Sequence, residues 1–167
     1  LSVSAQHHIC GMASFISVIN KLNESYGSYH CGFYECRTSE VLDRVERGLD
    51  DLGIIFFTEH SKGQMIQELR NRGIIFNHII YQTAHAYICQ NHPLANSQEI
   101  NIEEMIQYPF ISYDRSPDTN PAYTDLIIPN YQVKKIIHVS DRAASYSAMR
   151  YCHGFAIGSG YRSFDSN

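Results

Sequence analysis

The sequence has no run of basic residues and no long hydrophobic run, and these two absences exclude two kinds of partner. Its formal net charge is −4 over 167 residues. Because binding of the phosphate backbone requires clustered Lys and Arg, the chain is not expected to bind nucleic acid by itself. The longest apolar run, residues 54–57, is far too short to cross a bilayer, so no membrane partner is predicted. The first residues lack the basic and apolar regions of a signal peptide.

Paired cysteines and catalytic motifs are also missing. The five cysteines include no C-x-x-C pair, which suits free thiols in a reducing cytoplasm, so we expect a cytoplasmic protein. The nine histidines show no spacing that would assemble a metal site, and we predict neither metal nor cofactor. No Ser-His-Asp order, G-x-S-x-G elbow, Walker loop or G-x-G-x-x-G motif occurs. A catalytic function is therefore not expected.

What the sequence does contain is an alternation of short apolar runs with helical patterns. A 44% hydrophobic share with 18% charge predicts a folded chain of one domain or two small lobes. The alternation is typical of βαβ units and predicts an α/β fold. Helices are predicted over residues 8–22, 39–48, 63–72, from 101, and 141–152. Strands are predicted over residues 1–3, 29–35, 52–57, 74–80, 84–89, 110–112, 136–139 and 155–157, whereas 117–129 give no clear pattern.

Hydroxyl side chains occupy three predicted junctions between a strand and a helix. They are Ser4, the pair Thr38 and Ser39, and Ser140. In an open parallel sheet, ligands lie beyond the carboxyl ends of the strands. Unpaired N–H groups and the positive end of a helix make such junctions good anion sites. The pattern therefore predicts a shared crevice for a small carboxylate, with ordinary helix capping as the alternative for each junction.

Larger side chains near these junctions are further candidates for the same crevice. Arg37, Arg115 and Arg142 could each clamp a ligand carboxylate through two hydrogen bonds, although a solvated surface arginine is the commoner case for each. Tyr113 follows a predicted strand and could offer a ring and a hydroxyl group. Packing between lobes explains Tyr113 equally well.

Several short motifs together resemble one protein family. They are Ser2-Val3-Ser4, Asp51-Leu52-Gly53-Ile54, His92-Pro93-Leu94-Ala95, Tyr108-Pro109-Phe110-Ile111, Arg37-Thr38-Ser39 and Val139-Ser140-Asp141 followed by Gly154-Phe155-Ala156-Ile157-Gly158. In this order and spacing they resemble the effector-binding domain of LysR-type transcriptional regulators. Each motif alone is weak, but together they run over essentially the whole chain.

The resemblance implies a two-lobed type II periplasmic-binding-protein-like fold, each lobe a mixed sheet flanked by helices. Lobe I would be residues 1–80 and lobe II residues 81–167, with a small-molecule effector in the cleft between them. Family cleft positions correspond to Ser4, Gln6, Thr38, Ser39 and Ser140.

The resemblance also implies an assembly larger than this chain. Family members form homodimers or homotetramers and bind DNA through a winged helix-turn-helix domain, which is absent from this sequence. The sequence stops at residue 167, before the segment by which the family returns to lobe I; either the chain is shortened or that segment is not included in this sequence. If the segment is missing, an open sheet edge and reduced stability in lobe I are expected.

Other functions remain open at this point. One is a solute-binding protein of a transporter with the same fold, and another is an enzyme built on it. A third is a thiol-based redox sensor, which predicts that Cys10, Cys89 or Cys152 forms a disulfide on mild oxidation. For the effector-binding function, replacing Thr38 by Val is expected to weaken binding and leave the melting temperature nearly unchanged.

Overall fold

A computed structural model describes residues 1–113, 120–123 and 133–160 of the chain. These residues form two compact units. The first contains residues 1–81 together with 120–123, and the second contains residues 82–113 and 133–160. The lobe boundaries that the family resemblance implies, 1–80 and 81–167, extend beyond the described residues and stay a prediction.

The first unit is a three-stranded parallel sheet in the order β2-β1-β3, with helices between successive strands. This order places β1 in the middle, so its backbone pairs with a neighbouring strand on each side. The strands are β1 (Ser2–Ala5), β2 (Gly32–Glu35) and β3 (Leu52–Ile54); the helices are α1 (Ile9–Ser25), α2 (Thr38–Glu46) and α3 (Lys62–Asn71).

Two glycines allow helices to approach this sheet from opposite faces. A Cβ atom at Gly11 of α1 would lie 3.6 Å from Ala5, Phe33 and Ile54, one residue on each strand. At Gly53 of β3, a Cβ atom would approach side-chain carbons of Val41 and Val45 on α2 to 2.9 Å, closer than van der Waals contact allows. Helices on both faces explain why these strands are rich in apolar residues.

Arg72 joins α2, α3 and a short turn in the first unit. Its guanidinium group forms ion pairs with Asp43 at 2.5 Å, Glu46 at 2.9 Å and Glu68 at 2.8 Å. The Tyr123 hydroxyl, in the 3-10 turn Pro121–Tyr123, donates a hydrogen bond to Glu68 at 2.9 Å. This turn lies in residues 117–129, the stretch without a clear sequence pattern, of which the structure describes 120–123.

The second unit is a four-stranded mixed sheet in the order β4-β7-β5-β6. Strand β4 is antiparallel to β7, whereas β5 is parallel to both β6 and β7. Its strands are β4 (His85–Ile88), β5 (Phe110–Tyr113), β6 (Ile136–Val139) and β7 (Phe155–Gly158); its helices are α4 (Ile102–Met105) and α5 (Arg142–Tyr151). Its core contains Met105, Phe110, Val133 and Phe155.

Local sequence signals predicted several element boundaries correctly. Asn101 begins α4 as predicted, with its side chain accepting the Glu104 N–H at 2.8 Å. The predicted strand over residues 136–139 is confirmed as β6. The predicted strand over residues 74–80 is wrong, because these residues form neither a strand nor a helix. Among the described helices, none has both the length and the hydrophobicity needed to cross a membrane.

Candidate functional site

The carboxyl ends of the three strands in the first unit converge on the side chain of Gln6. Gln6 directly follows β1, and its backbone N–H extends the ladder to Ile54 of β3 at 3.1 Å. Its Nε2 group donates a hydrogen bond to Thr38 Oγ1 at the start of α2. Its Oε1 accepts the Phe56 backbone N–H, beyond β3, at 2.5 Å. One buried amide therefore holds the ends of all three strands together.

Thr38 keeps an unused donor at this edge. Gln6 and Thr38 are each 5% exposed, and Thr38 Oγ1 accepts the hydrogen bond from Gln6. A hydroxyl group can also donate its own proton. No described residue accepts a hydrogen bond from the Thr38 hydroxyl. The proton is available to an oxygen atom of a ligand.

The start of α1 adds a positive electrostatic contribution beside Gln6. His8 is the N-cap residue, its side chain forms no capping hydrogen bond, and the first turn contains no acidic residue. The positive end of this helix dipole is therefore not offset by a carboxylate of its own first turn. The His8 ring lies against the Phe56 ring, with 4.0 Å between centroids, and fixes the position of the helix start. An anion is the ligand that this arrangement suits.

The second unit has a comparable edge at the carboxyl ends of β5 and β6. Tyr113 ends β5 and pairs in register with Val139, which ends β6. Ser140 follows β6, is exposed, and its hydroxyl group donates to Asp141 at 3.2 Å. Asp141 rather than Ser140 caps α5, because the Asp141 carboxylate accepts the Ala144 N–H at 2.9 Å. Tyr113 and Ser140 therefore lie on neighbouring strand ends.

The fold of the chain is similar to that of several solved regulators. The effector-binding domain of QuiR, in complex with shikimate, aligns at a TM-score of 0.61 and 16% identity over 94% of this chain and 71% of that solved domain chain. HinK, a LysR family regulator from Pseudomonas aeruginosa, aligns at 0.54 and 11% identity over 98% of this chain and 52% of HinK. The regulatory domain of CcmR from Synechocystis PCC6803, in complex with 2-PG, aligns at 0.57 and 13% identity over 96% and 72%.

The chain has the fold of the effector-binding domain of LysR-family transcriptional regulators. The α/β fold class and the resemblance inferred from the sequence are both confirmed at this level. The chain spans about half of HinK and about seven tenths of the QuiR and CcmR chains. No family model matches the sequence, and no curated protein sequence matches it.

Within this LysR-type fold, Ser4 does not lie at a strand end as predicted. Strand β1 continues to Ala5, and Ser4 pairs in register with Tyr34 on one side and Gly53 on the other. Its hydroxyl group is fully buried and makes no well-formed hydrogen bond to a described residue, although it helps to lower the pKa of the Asp50 carboxyl. The predicted junction at Ser4 is wrong because pairing with two neighbours, not hydrophobicity, determines where β1 ends.

The other predicted site residues occupy several environments. Thr38 is directly bonded to Gln6, and Ser39 follows it in the first turn of α2, half-buried. Thr38 does not cap α2, because Arg37 is the N-cap residue of that helix. Arg37 is bound to Glu40 at 3.0 Å and is therefore engaged within its own helix turn. Arg115 lies outside the described residues.

The hydroxyl groups of Thr58 and Ser61, which are not among the predicted site residues, form the junction before α3. The Thr58 N–H donates to Ser61 Oγ at 3.2 Å, and the Ser61 N–H donates to Thr58 Oγ1 at 3.2 Å. Ser61 is buried, and this reciprocal pair fixes the turn that leads from β3 to α3. The signal in the sequence is Thr-x-x-Ser before a helix, at a junction for which no site residue is predicted.

Cys36, at the end of β2, is expected to react slowly in the folded protein. Burial, assisted by the nearby Glu40 carboxylate, raises the pKa of the Cys36 thiol to about 11. Two pKa units leave about a hundredfold less thiolate, and the greater nucleophilicity of that thiolate recovers about tenfold. We therefore expect alkylation of Cys36 by iodoacetamide to be at least about tenfold slower than that of an ordinary thiol at about pH 8.

Peptide mapping by mass spectrometry after timed alkylation measures this rate. The exposed Cys152 serves as the internal comparison, and the chain unfolded in urea gives the reference rate for each cysteine. A Cys36 that is alkylated as fast when folded as when unfolded would contradict the expected protection.

Proposed function

We propose that this chain is the ligand-sensing regulatory domain of a LysR-type transcriptional regulator and that its effector is a small carboxylate. The observation that carries the proposal is the convergence of three parallel strand ends on Gln6, beside the start of α1. Ligands of open α/β sheets bind at such ends. The fold shared with a domain in complex with shikimate, itself a carboxylate, supports this choice of effector class.

In this role the domain carries out no chemical step. An effector that binds one conformation more tightly than another shifts the population toward it. In the complete regulator, that shift passes through a homodimer or homotetramer to a DNA-binding domain, in the cytoplasm. We propose Gln6, Thr38 and Ser39 as effector-binding residues of the first unit. The contributions of Ser4, Tyr113, Arg115 and Ser140 stay predictions.

A thermal-shift experiment with defined carboxylates tests the effector class. A ligand that binds only the folded chain stabilises it by about 2.7 kcal/mol at a concentration about a hundred times its Kd. Shikimate is the first compound to add, followed by other small hydroxy-carboxylates and their uncharged amides. A shift with a carboxylate and none with its amide supports the proposal. Equal shifts with both, or no shift with any carboxylate, would contradict it.

Replacing Thr38 by Val is expected to weaken binding of that carboxylate by about tenfold, because one hydrogen bond to a charged group is lost. The structure does not support the expectation that the melting temperature stays nearly unchanged. Val also removes the acceptor of the buried Gln6 amide, so unfolding should become easier by about 1 kcal/mol. Isothermal titration and urea denaturation measure the two effects.

The variant Thr38→Ser is the matched control, since it keeps the hydroxyl group and loses only a methyl group. We expect Thr38→Ser to bind within about twofold of the original chain, a difference typical of a change that keeps the hydrogen bond. If the Val and Ser variants bind equally well, the Thr38 hydroxyl does not contact the effector.

A further inference from the structure

The charged side chains at the strand ends of the first unit form two ion pairs, each within a single turn. Arg37, at the start of α2, pairs with Glu40 at 3.0 Å, and Lys62, at the start of α3, pairs with Glu59 at 3.0 Å. No other Lys, Arg, Asp or Glu occurs in the three segments that follow the strands, which are residues 6–8, 36–40 and 56–62. With histidine neutral, this edge of the sheet carries no net formal charge.

Glu40 holds Arg37 through three hydrogen bonds. The Arg37 backbone N–H donates to Glu40 Oε2 at 3.2 Å, Nε donates to the same oxygen at 3.4 Å, and Nη2 donates to Oε1 at 3.0 Å. The side-chain hydrogen bond from Arg37 is the main reason why the pKa of the Glu40 carboxyl lies below its ordinary value, so the pair is ionised at neutral pH. An anionic ligand group that binds Arg37 must therefore displace a carboxylate.

Glu40 lies beside the residues proposed to bind the effector. It follows Thr38 in the first turn of α2, and the Thr38 hydroxyl accepts a hydrogen bond from Gln6. After the Arg37 hydrogen bonds, the nearby His7 also helps to lower the pKa of the Glu40 carboxyl, so Glu40 is close to the segment that follows β1. Coulomb energy falls only with the first power of distance, so this carboxylate acts on a ligand that it does not touch.

A single carboxylate fits this charge pattern, whereas a second anionic group does not. The Thr38 hydroxyl and the positive start of α1 can bind one carboxylate, and neither is a charged side chain. A second anionic group would meet no net positive charge to offset its lost hydration, and Glu40 would repel it. We propose that the effector carries one anionic group, and that Glu40 excludes a second one by keeping the charge of Arg37 neutralised.

This inference rests on the effector-binding function proposed above and narrows its ligand class. The side chains of Gln6, Thr38 and Ser39 are polar and uncharged, and such groups form hydrogen bonds with neutral hydroxyl groups. The ligand class is therefore a singly charged hydroxy-carboxylate. Glu40 acts as a specificity residue, because its charge decides which carboxylates bind.

Isothermal titration of the complete 167-residue chain with two matched pairs of compounds tests the charge limit. The first pair is shikimate and its phosphate monoester, and the second is succinamate and succinate. Each pair keeps one carbon skeleton and adds an anionic group. At constant ionic strength, the member with one anionic group should bind at least about tenfold more tightly. Equal affinity within a pair, or tighter binding of the other member, would overturn the inference and leave the carboxylate effector in place.

Glu40→Gln should bring the affinities within each pair to within about threefold. Gln still accepts the Arg37 backbone N–H but has no charge to neutralise the guanidinium group, which can then bind the second anion. Glu24→Gln is the matched control, since Glu24 is exposed near the other end of α1, a helix about 25 Å long. Salt screens its charge over that distance, so the ratio should not change. The same ratio in both variants would contradict the role of Glu40.

Arg37→Gln, added to Glu40→Gln, tests whether the gain depends on the guanidinium group. The original difference in affinity should largely return, because the second anion again has no cation to bind. Tight binding of the doubly charged compounds without Arg37 would overturn the proposed part of this ion pair. If no member of either pair binds any of these chains, the carboxylate effector itself is wrong, and this inference fails with it.

Discussion

Gln6→Glu is expected to weaken binding of a carboxylate effector by about a hundredfold. Two unit charges about 5 Å apart, at an effective dielectric constant of about 20, repel by about 3 kcal/mol. That energy corresponds to about a hundredfold in affinity. The introduced carboxylate would also accept the Thr38 proton, which is the donor that the effector needs.

The change keeps the shape and the hydrogen bonds of the site, but a carboxylate at this buried position loses its hydration, so some loss of stability is expected. Glu has the shape of Gln, and its oxygen can accept the Phe56 N–H in place of the Gln6 amide oxygen. The Thr38 hydroxyl can donate to the other oxygen, so neither buried partner loses its hydrogen bond. Affinity and stability are therefore measured separately in this variant. Isothermal titration with the carboxylate that gives the largest thermal shift measures affinity, and urea denaturation measures stability.

Gln67→Glu provides the control for charge alone. Gln67 is exposed on α3 and, among the described residues, its side chain bonds to Asn71 at 2.8 Å, so the same charge added there should change affinity by less than about twofold. A Gln6→Glu variant that binds the carboxylate as tightly as Gln67→Glu would show that the effector does not approach Gln6. A Gln6→Glu variant that fails to fold is replaced by Gln6→Asn, whose shorter amide should weaken binding without adding charge.

Features encoded within a few consecutive residues were predicted well. Asn101 as the cap of α4, the β6 strand and α5 each depend on residues close in the chain, through capping groups or apolar periodicity. Residues 74–80 show the limit of such patterns. Their composition favours a strand, yet a strand also needs a partner, and none of the described residues supplies one.

The candidate site depended on contacts between distant residues, which local patterns do not contain. The junction pattern predicts Thr38 and the family resemblance adds Gln6, but neither predicts the hydrogen bond between them, which spans 32 residues of sequence. Ser4 was misplaced because a serine within a buried strand gives the same local signal as a serine at its end. Thr58 and Ser61 are not predicted, because the hydrogen bonds between them that form the turn cannot be told from composition alone. In each case, tertiary pairing decided which hydroxyl group reaches the sheet edge.

The largest expected change in stability comes from Asp50, at the opposite end of the same strands. Its carboxylate is fully buried and accepts hydrogen bonds from Arg44 Nε at 2.5 Å and from Arg44 Nη2 at 3.0 Å. The Ser2 hydroxyl donates to it at 2.5 Å. These contacts join the starts of β1 and β3 to α2. Removing one member of a buried charged pair is costly, because the remaining groups lose their partner without regaining water.

Asp50→Ala is therefore expected to lower the free energy of unfolding by about 3 kcal/mol at neutral pH. The more conservative Asp50→Asn keeps the shape and loses the charge, and should cost about 2 kcal/mol. Urea denaturation followed by circular dichroism measures both. Asp51→Asn is the control, since Asp51 is exposed and accepts only the Ser2 backbone N–H at 2.8 Å. Its cost should stay below about 1 kcal/mol.

The pH dependence of stability should distinguish charge from packing at Asp50. The Arg44 hydrogen bonds, with help from Ser2 and Ser4, hold the pKa of the Asp50 carboxyl below its ordinary value. A carboxyl whose pKa is lowered on folding stabilises the native chain fully above its unfolded pKa of about 3.9. That contribution is lost as the pH falls through the lower pKa of the folded state. The difference in stability between the original chain and Asp50→Asn should therefore shrink as the pH drops below about 4. A difference that is the same at about pH 3 and about pH 7 would mean that Asp50 acts through its shape, and that its ionisation is not linked to folding.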